Sequence, residues 1–143
     1  MTTIPRGHIP FYLRQSYQVG DEFGATRGRK TPHTGIDLIP TGPAVKLRAI
    51  WTSTVEIIGY STSLGWYLVL KRVYKGHTYR QILGHCARRP NLRIGQTVRK
   101  RSVVAVEGAT GAATGTHCHL GISVDGKLVN PRTHVKIKRK VNA

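Results

Sequence analysis

Three short stretches carry side chains able to hold and use a metal ion: His33 and Asp37 in H-T-G-I-D, His85 in L-G-H, and His117 and His119 in H-C-H. Imidazole and carboxylate are the groups a catalytic zinc takes, three as ligands with one position left open. Two of the five then remain for proton handling, and the chemistry of such a set is hydrolysis. Spacing supports convergence within each pair. In an extended strand successive side chains alternate faces, so His117 and His119 fall on one side and Cys118 on the other. His33 and Asp37, with Gly35 between them, can likewise share a face. A lone H-x-H is more often two unrelated histidines; two pairs from opposite halves of the chain plus a third His point to one ion.

The elements that must position these residues read as strands. Residues 44–50, 54–58, 66–73, 78–83 and 103–106 are rich in β-branched and aromatic types, with Gly, Pro, Asn or Ser in most of the gaps. Val124-Asp125-Gly126-Lys127 carries the Asp-Gly signal of a two-residue hairpin, which pairs the H-C-H strand with Leu128-Val129. No long apolar stripe at helical spacing is present. The expected fold is mainly β, of antiparallel sheets with little helix, in one compact domain over residues 1–143. Its core is expected at about residues 17–133, with loosely held basic ends at 1–15 and 133–143. There is no internal repeat or linker.

The chain resembles the lysostaphin-like, or LytM-type, zinc endopeptidases that cut bacterial peptidoglycan crosslinks. The likeness begins at Asp21-Glu22-Phe23-Gly24 and Arg27, runs through His33-Thr34-Gly35-Ile36-Asp37-Leu38, and passes Pro40-Thr41-Gly42-Pro43-Ala44-Val45. Leu83-Gly84-His85 stands where that family has Tyr-Ala-His-Leu. Ile94-Gly95-Gln96-Thr97-Val98, Gly108-Ala109-Thr110-Gly111 and Thr114-Gly115-Thr116-His117-Cys118-His119 follow in family order, and Gly126-Lys127-Leu128-Val129-Asn130-Pro131 closes the match. The resemblance implies an antiparallel β peptidase fold with one zinc ion held by His33, Asp37 and His119. It makes His85 and His117 the uncoordinated catalytic pair. Two departures stand out: Thr116 replaces the usual Pro before the first His of H-x-H, and Leu120-Gly121 replaces the common Phe-Glu after it. These changes spare the ligands and bear on the outer groups that fix imidazole tautomers.

Other residues admit a functional and a plain reading. Cys86 and Cys118 each adjoin a candidate histidine, which raises a cysteine nucleophile, a further ligand or a disulfide; strand alternation instead turns both into the core as small buried thiols. Tyr60, Trp66, Tyr67 and Tyr79 lie between the metal clusters and offer stacking surfaces for sugar or peptide, although aromatic strand residues are more often core. The Gly-rich stretch 108–115 lacks a G-K-S or G-K-T ending and reads as a flexible wall of a cleft. His8, His77 and His134 have no partner at ligand spacing and read as surface residues.

Charge supplies the remaining expectations. The 143 residues hold 23 Lys and Arg against 6 Asp and Glu, a net +17, concentrated in residues 27–30, 88–101 and 136–140. Such a field draws the protein to polyanions and weakens with salt. Teichoic acids, lipopolysaccharide or anionic lipid on a bacterial envelope fit, beside peptidoglycan as the substrate. Nucleic acid is the competing partner, yet no recognition helix, RNA-binding sheet motif or regular aromatic interleaving accompanies the basic residues. No signal peptide is expected in residues 1–13, which lack a continuous apolar run, and no segment approaches a membrane span. The expectation is therefore a monomer made in the bacterial cytoplasm, without a wall-binding module or prosegment, acting at the wall after release or from a virion as a bacteriophage endolysin. The alternatives are a noncatalytic LytM-type domain that binds wall or activates an amidase, and a basic nucleic-acid-binding protein with a structural zinc. Retention of all five residues weighs against the first. A carboxylate in the set weighs against the second, since structural sites are mostly closed by Cys and His. A cysteine protease is more distant.

Overall fold

The computed structural model describes residues 7–8 and 17–140. Among these residues twelve strands follow in chain order: β1 (Gly7–His8), β2 (Tyr17–Val19), β3 (Ile36–Pro40), β4 (Lys46–Arg48), β5 (Ser53–Ser61), β6 (Gly65–Tyr74), β7 (His77–Cys86), β8 (Thr97–Val98), β9 (Val103–Val106), β10 (Cys118–Val124), β11 (Lys127–Val129) and β12 (Val135–Lys136). The helical content of the described residues is one 3₁₀ turn at Pro131–Thr133. The main sheet runs β2-β3-β10-β7-β6-β5-β8, with β11 on β10, and every pairing in it is antiparallel. A short antiparallel pair, β4-β9, and a parallel pair, β1-β12, complete the architecture. The mainly β, antiparallel fold expected from the sequence is the fold observed.

Four of the five expected strands appear as read or lengthened by a few residues, and residues 44–50 yield the shorter β4. Asp125 (φ 50°) and Gly126 (φ 82°) form the hairpin turn between β10 and β11, both left-handed as a tight two-residue turn needs. The same device at Lys75 (φ 49°) and Gly76 (φ 80°) joins β6 to β7.

Alternation along the central strands divides the sheet into two faces. Leu68 and Leu70 of β6, Leu83 of β7, and Cys118, Leu120 and Ile122 of β10 turn to one side, where all are buried. Leu47, Ala49, Ile50 and Trp51 cover that side and belong to the same core cluster. Burying a Leu or Ile stabilises by about 1.5–3 kcal/mol, so this contact dominates the cohesion of the layers. One polar tie crosses it: Gln81, fully buried, accepts the Ile50 N–H at 2.8 Å and donates to the Arg48 carbonyl at 3.1 Å. Val135 and Ile137 are also buried in the core, although they fall in the stretch expected to be loosely held. The opposite face of β3, β10 and β7 is left for the site.

Candidate metal centre

Asp37 and His119 meet because of register. β3 and β10 pair with Asp37 directly across from His119, and antiparallel cross-strand partners project to the same side. His33 arrives from the loop before β3. Gly35 lets that loop pass, since a Cβ there would collide with the Leu120 carbonyl and stand 2.9 Å from the His119 ring. The glycine of H-T-G-I-D is thus a steric requirement of the site.

The three donor atoms form a compact triangle. His33 Nε2 lies 3.2 Å from Asp37 Oδ1 and 3.2 Å from His119 Nδ1, and His119 Nδ1 lies 3.5 Å from Asp37 Oδ1. A tetrahedral zinc with bonds of about 2.0–2.1 Å separates its ligand atoms by about 3.3 Å, so this triangle is one face of such a tetrahedron. His33 Nδ1–H donates to the Glu22 carbonyl at 3.1 Å, which leaves Nε2 a bare lone pair in the neutral ring. Asp37 Oδ1 is buried without a hydrogen-bond partner. Converging lone pairs around an orphaned carboxylate oxygen repel one another unless a cation sits among them, so the residues fit a metal.

Electrostatics set the protonation that metal binding needs. Burial alone would push the Asp37 carboxyl up, but contacts with His119 and His33 outweigh it and hold the group far below the usual carboxylate range. Burial pushes His119 down despite the opposing pull of Asp37. The set is an anionic carboxylate with a neutral His119, the forms that ligate.

His85 and His117 complete the cluster, and neither sits on a regular strand position. In β7 the register shifts so that Gly84 and His85 together face Tyr67 of β6, a β-bulge. His85 adopts φ 59° there, a left-handed conformation that costs a non-glycine residue about 1–3 kcal/mol. The extra residue re-aims His85 to the site face, and Cys86 returns to the core. His85 Nδ1–H donates to the Thr110 carbonyl at 2.7 Å and His117 Nδ1–H to the Gly115 carbonyl at 2.9 Å. Each ring therefore points Nε2 away from its backbone acceptor, His117 Nε2 standing 3.7 Å from Asp37 Oδ1, and the two ring centroids lie 4.6 Å apart. Burial, reinforced by the neighbouring imidazoles of His117 and His119, lowers the His85 pKa and keeps it a free base near neutrality.

All five residues line one cleft of about 640 Å³. Ala112, Ala113 and Thr114 form part of its wall, as expected of the Gly-rich stretch, but this wall is pinned. Thr110 Oγ1 donates to the Cys86 carbonyl at 2.6 Å and accepts the Trp66 N–H at 3.0 Å.

Cys86 and Cys118 are the small buried thiols that strand alternation implies, free rather than joined in a disulfide. Burial pushes the Cys86 thiol up to about 12 and Cys118 well above its ordinary value, so neither supplies a thiolate nucleophile. Tyr79 is core, packed on Trp51, and none of the four aromatics lines the cleft, although Tyr60 is exposed and meets Trp66 edge to face. His134 is half-buried against Trp51 and Tyr79. His77 Nδ1 is hydrogen-bonded to Asp125 Oδ2 at 2.6 Å. The side chain of His8 lies outside the described residues.

Sequence spacing missed the outer partners. Arg132 grips both carboxylate oxygens of Glu22 at 2.9 Å and donates to the carbonyls of Ile137 and Lys138. Glu22 in turn orients His33, and nothing local links residues so far apart in the chain. Arg29 binds Asp21 at 2.8 Å and approaches Asp37 Oδ2 at 3.7 Å. Glu22 and Asp21 stand in the opening Asp-Glu-Phe-Gly, the one signal that could have flagged them.

A family model described as peptidase family M23 matches residues 31–131. An uncharacterized metalloprotease of Haemophilus influenzae is 31% identical over 138 residues, covering 92% of this chain and 28% of the relative. The chain spans about a third or less of the curated relatives it matches. The catalytic domain of the antimicrobial peptidase lysostaphin from Staphylococcus simulans shares the fold at a TM-score of 0.71 and 22% identity, over 82% of this chain and 90% of that one. So does the catalytic domain of a variant of the prophage-encoded M23 protein EnpA from Enterococcus faecalis, at a TM-score of 0.70 and 23% identity, over 88% and 97% of the two chains.

Proposed function

Given that the chain belongs to peptidase family M23, we propose that it is a zinc-dependent endopeptidase that hydrolyses peptide crosslinks of bacterial peptidoglycan. The observation that carries this reading is the triangle of His33 Nε2, Asp37 Oδ1 and His119 Nδ1 at zinc-ligand separations, with two tethered imidazoles beside it in one open cleft.

His33, Asp37 and His119 hold the ion. Bound there, zinc supplies a Lewis acid that polarises the scissile carbonyl and makes water acidic enough to attack near neutral pH. His85 and His117 handle protons through Nε2. Each Nδ1–H donates to a backbone carbonyl, which orients the ring with Nε2 toward the cleft. One imidazole takes the proton of the attacking water and returns it to the leaving amine; the other, when protonated, donates to the oxyanion. The likeness to the lysostaphin catalytic domain supports the wall as the site of action. The likeness to a prophage-encoded protein supports a phage lysin as the setting, active in host lysis or wall penetration.

The test is turbidity of purified peptidoglycan with zinc-loaded protein, a chelated control and His85→Ala, with mass spectrometry of released fragments. New peptide ends that need the metal and His85 are expected, and they name the bond. No release with zinc bound and wall still adsorbing protein would replace the enzyme with a noncatalytic wall-binding domain.

A further inference from the structure

All six acidic side chains are committed elsewhere. Asp21 pairs with Arg29, Glu22 with Arg132, Glu56 with Arg80 and Lys71, and Asp125 with His77. Asp37 belongs to the metal triangle, and buried Glu107 accepts the Val45 N–H. Meanwhile Arg88, Arg89, Arg93, Arg99, Lys100 and Arg101 crowd into one exposed segment between β7 and β9 without an ion pair among the described residues. Arg48 joins them, because its guanidinium donates to the Arg101 carbonyl at 3.0 Å.

The backbone of that segment is also held in place, so its charged side chains spring from fixed positions. Gln96 accepts the Val55 N–H on its carbonyl, Lys100 N–H donates to Thr52 Oγ1, and Arg101 N–H donates to the Ala49 carbonyl. A shallow cleft of about 260 Å³ opens between residues 88–92 and β9, flanked by Arg88 and Arg89. Like charges held together this way repel, and an anionic partner relieves the repulsion.

We infer that residues 88–101 form a docking surface for a flexible polymer of repeated phosphodiesters attached to the bacterial wall, which concentrates the cleft on its substrate. This inference rests on the wall-hydrolase reading. The chemistry separates the candidate polyanions. Residues 87–106 contain no Phe, Tyr or Trp, so the surface offers phosphate contacts without a platform for stacked bases. No α-helix is present among the described residues to enter a duplex groove. Toward a lipid surface the segment offers Ile94, with Val103 at the start of β9, as exposed apolar side chains, separated in the chain and too few for a continuous apolar anchor. A wall polymer needs charge alone.

The test sediments the full chain with insoluble bacterial walls, either intact or stripped of phosphate polymer by acid. Two variants are compared: Arg88→Gln, Arg89→Gln, Arg93→Gln, Arg99→Gln and Lys100→Gln combined, and its counterpart with Lys at the four Arg positions. Wild type should bind intact walls and lose about two orders of magnitude in affinity between roughly 50 and 200 mM salt, as several released counterions dictate. The Gln variant should bind intact walls no better than wild type binds stripped ones, while the Lys variant keeps binding and both cleave a soluble crosslink peptide at the wild-type rate. Equal retention of wild type on stripped and intact walls overturns the inference. Tighter binding to a DNA duplex, or to vesicles of phosphatidylglycerol and phosphatidylcholine, overturns it in favour of that partner. If wild type retains wall binding but never cleaves the soluble peptide, the surface stands and the enzyme reading falls.

Discussion

The ligand half of the cleft and the proton-handling half are built differently. Asp37 and His119 sit at opposed positions of paired strands, and His33 is locked behind them by Glu22. His85 and His117 instead occupy a bulge and the approach to a strand, each tethered by one hydrogen bond to the carbonyl of a residue in the 108–115 loop. A metal needs three atoms fixed to within tenths of an ångström, which strand register provides. Proton transfer needs nitrogens that face the cleft without being captured by the ion, and an irregular backbone supplies such off-register positions. The strain at His85 marks the junction of the two designs.

Substitution should separate the halves. His33→Ala, Asp37→Ala and His119→Ala should each abolish both zinc retention and hydrolysis. His85→Ala and His117→Ala should slow hydrolysis by about 10²–10⁴-fold, the usual contribution of a general acid or base, with zinc retained. Metal analysis beside peptide-cleavage rates decides it; zinc loss from the His85 or His117 variant would break the comparison.

A smaller effect should follow in the outer layer of the ligand half. Arg132→Ala frees Glu22, whose carbonyl holds the His33 tautomer, and should weaken zinc affinity by about tenfold, the lower end for outer partners. Competition with a chelator of known affinity measures this. Unchanged affinity with reduced thermal stability would make the clamp a tie for the C-terminal segment alone.

The smallest effect at neutral pH concerns the core beneath both halves. Cys86 is protonated in the folded chain up to about pH 12, whereas an unfolded thiol titrates near 9.0. Its contribution to stability is therefore complete below about pH 9 and is lost as pH rises from 9 toward 12, at about 1.4 kcal/mol per pH unit in that window. Denaturant midpoints should fall less steeply above pH 9 in Cys86→Ala than in wild type, and at pH 7 a thiol reagent should leave the native protein unlabelled. Parallel alkaline curves would remove the buried-thiol account.

Much of this was legible in the chain. The Asp125-Gly126 turn, the long strands β6 and β7, and all five cleft residues follow from local pattern or spacing. What stayed hidden depends on register or on distant contacts. β3 was obscured because its residues lie inside the ligand motif and end on Pro40. The bulge at His85 is visible only when Gly84 and His85 are counted against Tyr67 on the neighbouring strand. Arg132 reaches Glu22, and Gln81 reaches the 48–50 backbone, through the folded packing alone.

β10 pairs with β3 on one side and β7 on the other, with Cys118, Leu120 and Ile122 turned to the core and His119 to the cleft. A slip of one position would send His119 into the core and expose Cys118 and Leu120 in the cleft. No half-working register exists. Specific activity in preparations of variants on the core face of β10 then acts as a head-count: turnover per correctly paired molecule and KM stay constant, and only the number of competent molecules declines.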